Sequence, residues 1–179
     1  MWEPAADDQE ALISGELTTP DLYCDVLDQL ERDQVRYVVV SGVAVVAHGH
    51  ARPIIDLDIV IDPAPQESQR AMHALTFAGF VPSIPLSLSM VTVLRMFDQR
   101  QREVDVFVRY SIPFDELWSS SVRMNVGNST ARVASLDHLL RAKRTIGRPH
   151  DLLDIEGLMA LNKPGGEHKP RSGEPEAQG

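Results

Sequence analysis

The chain has 179 residues, 43% hydrophobic and 24% charged, a balance that suits one soluble globular domain. A formal net charge of −9 excludes broad binding to DNA or RNA through a basic surface, while a nucleic-acid end or a local basic groove stays open. The single cysteine, Cys24, excludes an internal disulfide, and no apolar run approaches the ~18–20 residues that span a bilayer.

Residues 1–10 carry acids and no apolar segment, so no secretory signal is expected and the chain is read as cytoplasmic. Residues 1–18 are acidic and aperiodic and read as a flexible arm. Thr19-Pro20-Asp21 then offers a hydroxyl cap, a first-turn proline and a first-turn acid, and Leu22, Val26 and Leu30 give the following helix an apolar face. The β-branched run 36–41 (RYVVVS) predicts a buried strand, and Gly42 with 43–47 predicts a tight turn and short helix ending near Gly49. Residues 56–61 (DLDIVI) form a second strand ended by Pro63 and Pro65, and 66–78 an amphipathic helix closed by Gly79.

Residues 82–89 show no clear period, 90–97 read as a strand, 98–102 (DQRQR) as a hairpin turn, and 103–110 (EVDVFVRY) as a cleanly alternating strand. A short helix at 114–118 and short strands at 122–126 and 130–133 follow. Ser135 caps a helix that runs to Ile146 and stops at Gly147, and Pro149 starts the next. Residues 163–179, rich in proline, glycine and charge, cannot bury enough apolar surface to fold alone and read as a disordered tail. The plan is therefore α/β (α+β), a mixed sheet flanked by helices with a helical C-terminal part, carried by one domain at 19–162.

Alternation puts Asp56 and Asp58 on one face of their strand, with Leu57 and Ile59 on the other. Two acids side by side on an apolar strand repel each other, and a divalent cation removes that cost. Asp105 alternates with Val104 and Val106 on another strand, so neighbouring strands would bring three carboxylates together. Such a set suits Mg²⁺ or Mn²⁺ with substrate phosphates, Asp105 serving as general base or as the ligand on the attacking side. Asp-x-Asp also arises by chance in turns and at strand ends. Ser41-Gly42, between strand and helix, lets the backbone approach a phosphate, or is an ordinary turn. His48, His50, His73, His138 and His150 have no zinc spacing, and neither a Walker A nor a Gly-x-Ser-x-Gly motif occurs.

Ser41-Gly42, thirteen residues, then Asp56-Leu57-Asp58, with Asp105 later on a strand, resembles the signature of the DNA polymerase β-like nucleotidyltransferase superfamily. The resemblance is closest to a small bacterial branch of abortive-infection (AbiE-type) nucleotidyltransferase toxins. It runs over about 36–161 and includes Gly49, Arg52, Ser135, Leu139, Lys143, Gly147, Arg148, Asp151 and Asp154. Ser41 stands where the family usually has glycine, and Ile54 where it usually has threonine.

The resemblance implies a nucleotidyltransferase fold and metal-dependent transfer of a nucleoside monophosphate from an NTP to a hydroxyl acceptor. That acceptor is an RNA end such as tRNA, a protein side chain or a small molecule, within or outside a toxin–antitoxin pair with a cognate antitoxin. It implies metal at Asp56, Asp58 and Asp105, and nucleotide binding by Ser41, Gly42, Arg52 and Lys143. Lys143 would reach the phosphates, and Asp151 would complete the site by orienting Lys143 or Arg148, or else serve as a first-turn helix acid. Arg52 is read as binding phosphate or forming a structural ion pair, and Asp154 as supporting the fold. The alternative is a catalytically weak nucleotide- or partner-binding regulatory protein on the same fold.

Overall fold

The computed structural model describes residues 20–162; the expected arm 1–18 and tail 163–179, and the cap at Thr19, lie outside the described residues. The chain enters on a 3-10 turn (Pro20–Tyr23), the tighter geometry common at helix starts, and continues as α1 (Cys24–Arg32). β1 (Tyr37–Val40) passes straight into α2 (Ser41–Ala47). No separate turn intervenes, because Ser41 itself takes the change of direction at φ 57°. β2 (Asp56–Ile61) and α3 (Pro65–Phe77) follow. The aperiodic stretch holds the two-residue strand β3 (Val81–Pro82) and a 3-10 turn (Leu88–Met90).

β4 (Val93–Phe97) and β5 (Glu103–Phe107) form the expected hairpin, both shorter than their apolar patterns. α4 (Phe114–Ser120), β6 (Val122–Val126) and β7 (Ser129–Val133) precede two C-terminal helices, α5 (Leu136–Ile146) and α6 (Pro149–Leu161). Among the described residues the strands build one seven-stranded mixed sheet in the order β3-β4-β5-β2-β1-β7-β6. β2 lies antiparallel to β1 and parallel to β5, while β1 and β7 are parallel.

Strand alternation divides the core between the two faces of this sheet. Leu57, Ile59, Ile61, Leu94, Met96, Val104 and Val106 bury one face with Leu27 and Leu30 of α1 and Leu75 of α3. The opposite face holds a smaller core of Val38, Val40 and Val60 under Phe114, Leu117 and Ala142, contributed by α4 and α5. That second core reaches Val60 and Phe107 at the ends of β2 and β5, while nearer the starts of these strands the same face carries Asp56, Asp58, Glu103 and Asp105.

Two local devices fix where β5 begins. Asp98 accepts from the backbone N–H groups of Arg100 and Arg102, both at 2.9 Å, and so shapes the hairpin turn. Arg102 then donates to both carboxylate oxygens of Asp25 at 2.7 and 2.8 Å, fastening the turn to α1. Tyr23 spans the starts of both central strands: its hydroxyl donates to the Ile55 carbonyl at 3.3 Å and accepts from the Glu103 N–H at 3.4 Å. Burial pushes the Tyr23 phenol up to about 12, so it stays a donor across the physiological range.

The C-terminal helices begin and end as their residues dictate. Ser135 Oγ accepts from the His138 N–H at 3.3 Å to cap α5. At α6, Asp151 accepts from the Arg148 N–H at 3.1 Å behind Pro149. α6 is inverted relative to an ordinary surface helix, turning Asp151, Asp154 and Leu158 inward and leaving Leu152, Leu153, Met159 and Leu161 exposed. Between the two helices Gly147 adopts φ 67°, the left-handed conformation that ends α5.

A Cβ at Gly147 would meet only the Arg144 carbonyl, at 3.7 Å, so the backbone conformation rather than space requires glycine there. Gly147→Ala is expected to lower stability by about 1–2 kcal/mol, the cost of a side chain in the left-handed region. Urea unfolding followed by circular dichroism measures it.

Candidate active site

The acids converge because β2 and β5 are parallel neighbours in one register. Asp58 lies opposite Asp105 and Asp56 opposite Glu103, with Leu57 and Val104 between them on the other face. Carboxylate oxygens of Asp56, Glu103 and Asp105 all lie within 4.8 Å of one another. Asp58 and Asp105 are 8% and 7% exposed, so their repulsion is poorly screened. Burial, then the neighbouring Asp56, raises the Asp58 carboxyl to about 7, with a hydrogen bond from Ser41 partly offsetting the rise. Burial and Asp105 push Asp56 up as well, against Arg95 and Arg52.

Only hard carboxylate oxygens are present, and their mutual repulsion is what a small divalent cation relieves, so the set fits Mg²⁺ or Mn²⁺. Asp56, Asp58 and Asp105 line a cavity of about 570 Å³, with Glu103 just outside its lining. Ser41 and Gly42 stand at one side, Arg52, Arg95 and Arg148 supply positive charge, and Ile55, Phe107, Tyr110 and Ile146 supply apolar wall. Ser41 holds its left-handed backbone without being glycine, a strain of about 1 kcal/mol where the resemblance expects glycine. A Cβ on Gly42 would touch the Arg52 guanidinium at 3.7 Å, an ordinary contact, so space alone does not require glycine there. Ile54, where the resemblance expects threonine, is 9% exposed, packs in the main core and does not line the cavity.

The structure brings together Asp56, Asp58, Asp105, Ser41, Gly42 and Arg52 around the cavity. Lys143 stands apart. It is 3% exposed, with Nζ 3.1 Å from Asp151 Oδ1 and 2.7 Å from Asp154 Oδ2, and it does not line the cavity. Its two carboxylate partners offset the cost of taking the ammonium out of water. Arg52 binds the same Asp154 oxygen at 2.6 Å. Arg148 Nε binds Asp151 Oδ2 at 3.0 Å. Burial raises the Asp151 carboxyl, but hydrogen bonds from Arg148 and Lys143 outweigh burial and hold it below the usual range. Asp151 thus contacts both cations it was expected to orient, and Arg148 rather than Lys143 reaches the cavity wall.

Three site residues escape the motif reading. Glu103 sits two before Asp105, so the alternation that pairs Asp56 with Asp58 applies equally to Glu103 and Asp105. Arg95 is the one charged position within β4, and its partner emerges only once the hairpin register pairs it with Asp105. Tyr110 follows β5, where its ring meets Phe107 edge-on at 5.4 Å, and burial and Asp58 raise its phenol to about 12.

No protein-family profile and no curated protein matches this sequence. Among solved structures, the chain is similar to the lincosamide antibiotic adenylyltransferase LnuA bound to lincomycin, at 17% identity and a TM-score of 0.58, covering 79% of this chain and 96% of that one. It is also similar to ANT(2")-Ia in complex with adenylyl-2"-tobramycin, at 10% identity and a TM-score of 0.59, covering 79% of this chain and 87% of that one. A candidate nucleotidyltransferase from Thermotoga maritima aligns at 13% identity with a TM-score of 0.54, over 75% of this chain and 88% of that one. The chain has the nucleotidyltransferase fold, a seven-stranded mixed sheet flanked by helices. No helix among the described residues is long and apolar enough to cross a membrane.

Two outcomes follow from these electrostatics. Because the folded Asp58 carboxyl titrates at about 7 against an ordinary 3.8, the folded state binds the extra proton over that window. In chelator, stability is therefore highest below the lower value and falls as pH rises toward 7, by on the order of a few kcal/mol. Asp58→Asn is expected to flatten that fall and to melt higher than the parent protein at pH 8. Lys143→Met should cost about 2–3 kcal/mol in urea unfolding, less than the ~3–5 of a fully uncompensated buried charge, because Arg52 and Arg148 still hold the two acids.

Proposed function

We propose that this chain is a metal-dependent nucleotidyltransferase that moves a nucleoside monophosphate from an NTP to a hydroxyl acceptor. The observation that carries the reading is the pairing of Asp58 with Asp105 across parallel strands, with Asp56 on the same face of one cavity beside Ser41-Gly42. Asp56, Asp58 and Asp105 would hold the divalent cation, which would supply charge stabilisation for the transferring phosphoryl group. Arg148 and Arg52 bind phosphate oxygens at the cavity wall, each held at a fixed angle by a buried acid behind it. Ser41 and Gly42 bring the backbone close to the phosphates. Lys143 acts one layer below as the counter-ion that keeps Asp151 and Asp154 together.

In the reaction the acceptor oxygen forms a bond to the α-phosphorus and the bond to pyrophosphate breaks. Asp105 takes the acceptor's proton. We favour a small molecule as acceptor: exposed Ile55 and Ile146 on the cavity wall offer apolar surface to it. The lincomycin-bound and adenylyl-tobramycin structures support that choice by analogy of fold. An RNA end or protein side chain, with a cognate antitoxin, is the acceptor class that the abortive-infection resemblance carries. The full Arg95 engagement of Asp105 favours a second reading, a nucleotide-binding protein with little turnover.

Incubation with each α-³²P-labelled NTP and Mg²⁺, against a lincosamide, an aminoglycoside, total RNA and total protein, tests the proposal. Label is expected on one acceptor fraction, lost in EDTA and reduced at least ~100-fold in Asp56→Asn and Asp58→Asn. Equal labelling by wild type and either variant refutes it; nucleotide binding without transfer establishes the second reading.

A further inference from the structure

Among the described residues the acidic face carries one cation fixed directly on its carboxylates. Arg95 on β4 lies opposite Asp105 on β5, and its Nε and Nη2 donate to the two Asp105 oxygens at 2.9 and 2.8 Å. Nε is also 2.8 Å from Glu103 Oε1. One guanidinium therefore spans two of the three carboxylates whose oxygens cluster within 4.8 Å. A forked, charge-assisted contact of this kind engages the same lone pairs that a divalent ion would take. The two cations compete for one set of oxygens.

The Arg95 side chain is 50% exposed, so rotation about its own bonds carries the guanidinium away from Asp105 without disturbing the sheet. Its alternatives are not apolar. Arg95 already lines the cavity beside Ser41, Gly42 and Arg148, where an incoming NTP places its phosphates.

We infer that Arg95 is a positioning residue that serves as a displaceable counter-ion of the acidic site: it neutralises Asp105 and Glu103 until a divalent cation takes the Asp105 oxygens, and then turns into the cavity to meet the anionic nucleotide. This rests on the metal-dependent reading of the site. Without Arg95 the face would keep four close carboxylates with no cation upon them, and with an immobile Arg95 the cation would lack Asp105. The arginine side of the pair is 50% exposed against 10% for Asp105, so water and phosphate oxygens can reach the guanidinium as it leaves, while Asp105 exchanges one cation for another.

The test is Mn²⁺ binding to the full chain, read by electron paramagnetic resonance of the free ion and by calorimetry, with melting curves as the control for folding. Arg95→Gln is expected to bind Mn²⁺ about tenfold more tightly than wild type, with Arg95→Lys between them because it keeps the charge and loses the fork. Arg148→Gln removes the same charge from the same cavity without touching Asp105, and should change the affinity less than about threefold. If wild type binds Mn²⁺ and Arg95→Gln binds it equally or more weakly, or if Arg148→Gln matches Arg95→Gln, the Arg95 inference falls and the metal site stands. If folded wild type and Arg95→Gln both fail to bind, the metal-dependent reading falls with it.

Discussion

The molecule is organised around a repulsion. Parallel pairing of β2 with β5 sets Asp58 against Asp105 and Asp56 against Glu103, on a sheet whose other face is packed apolar core. The register cannot slip by one residue to separate the acids, because the same slip would turn Leu57, Ile59, Val104 and Val106 out of the core. Hydrophobic burial therefore holds in place a charge arrangement that is unfavourable in itself. Around it the chain arranges partial relief: Ser41 donates to Asp58, and Arg95 covers Asp105 and Glu103. Neither reaches every acid, and Asp58 keeps a carboxyl that titrates near neutrality.

A second electrostatic layer supports the first from behind. Asp154 joins Arg52, from the segment leading into β2, to Lys143 of α5, and Asp151 joins Lys143 to Arg148 at the head of α6. This explains the inside-out character of α6, whose Asp151 and Asp154 face inward because their partners are there. Gly157 belongs to the same docking: a Cβ there would lie 2.2 Å from the His50 ring, so the imidazole packs directly on bare helix backbone and would have to move for any larger residue. Two cavity arginines are thus aimed by one buried lattice, and their geometry is inherited from how α5 and α6 pack. A site assembled from long, flexible side chains gains its definition from such fixed partners.

Much of this was legible in the residues. The strand at 56–61, the hairpin at 98–102, the Ser135 cap, the Gly147 stop and the Pro149 start each carry a local physical signal, and each element stands where that signal puts it. The strand-ward acids were legible for the same reason, since a period of two fixes which side chains share a face. What could not be read locally is pairing. Nothing in the sequence around Arg95 announces that it will oppose Asp105, and nothing around Lys143 announces two carboxylates from the next helix. Lysine on a helix is ordinarily solvated, and the motif resemblance put Lys143 at the phosphates. Its 3% exposure follows from Asp151 and Asp154 lying one helical turn apart on the buried side of α6. Ser41 is a subtler case: a serine at φ 57° is visible only once β1 is seen to run into α2 without a linker.

The topology has a kinetic corollary. Because β2 and β5 are parallel neighbours, the chain must travel through α3, β3 and β4 before Asp105 can lie down beside Asp58. Parallel pairing across such a stretch closes a large loop and belongs to the late, slow part of assembly. Until β2 and β5 pair, the Asp56–Asp58 and Glu103–Asp105 pairs stay apart, each solvated by water, and they confront each other only when the sheet closes. Formation of the four-acid cluster is in this way coupled to closure of the sheet.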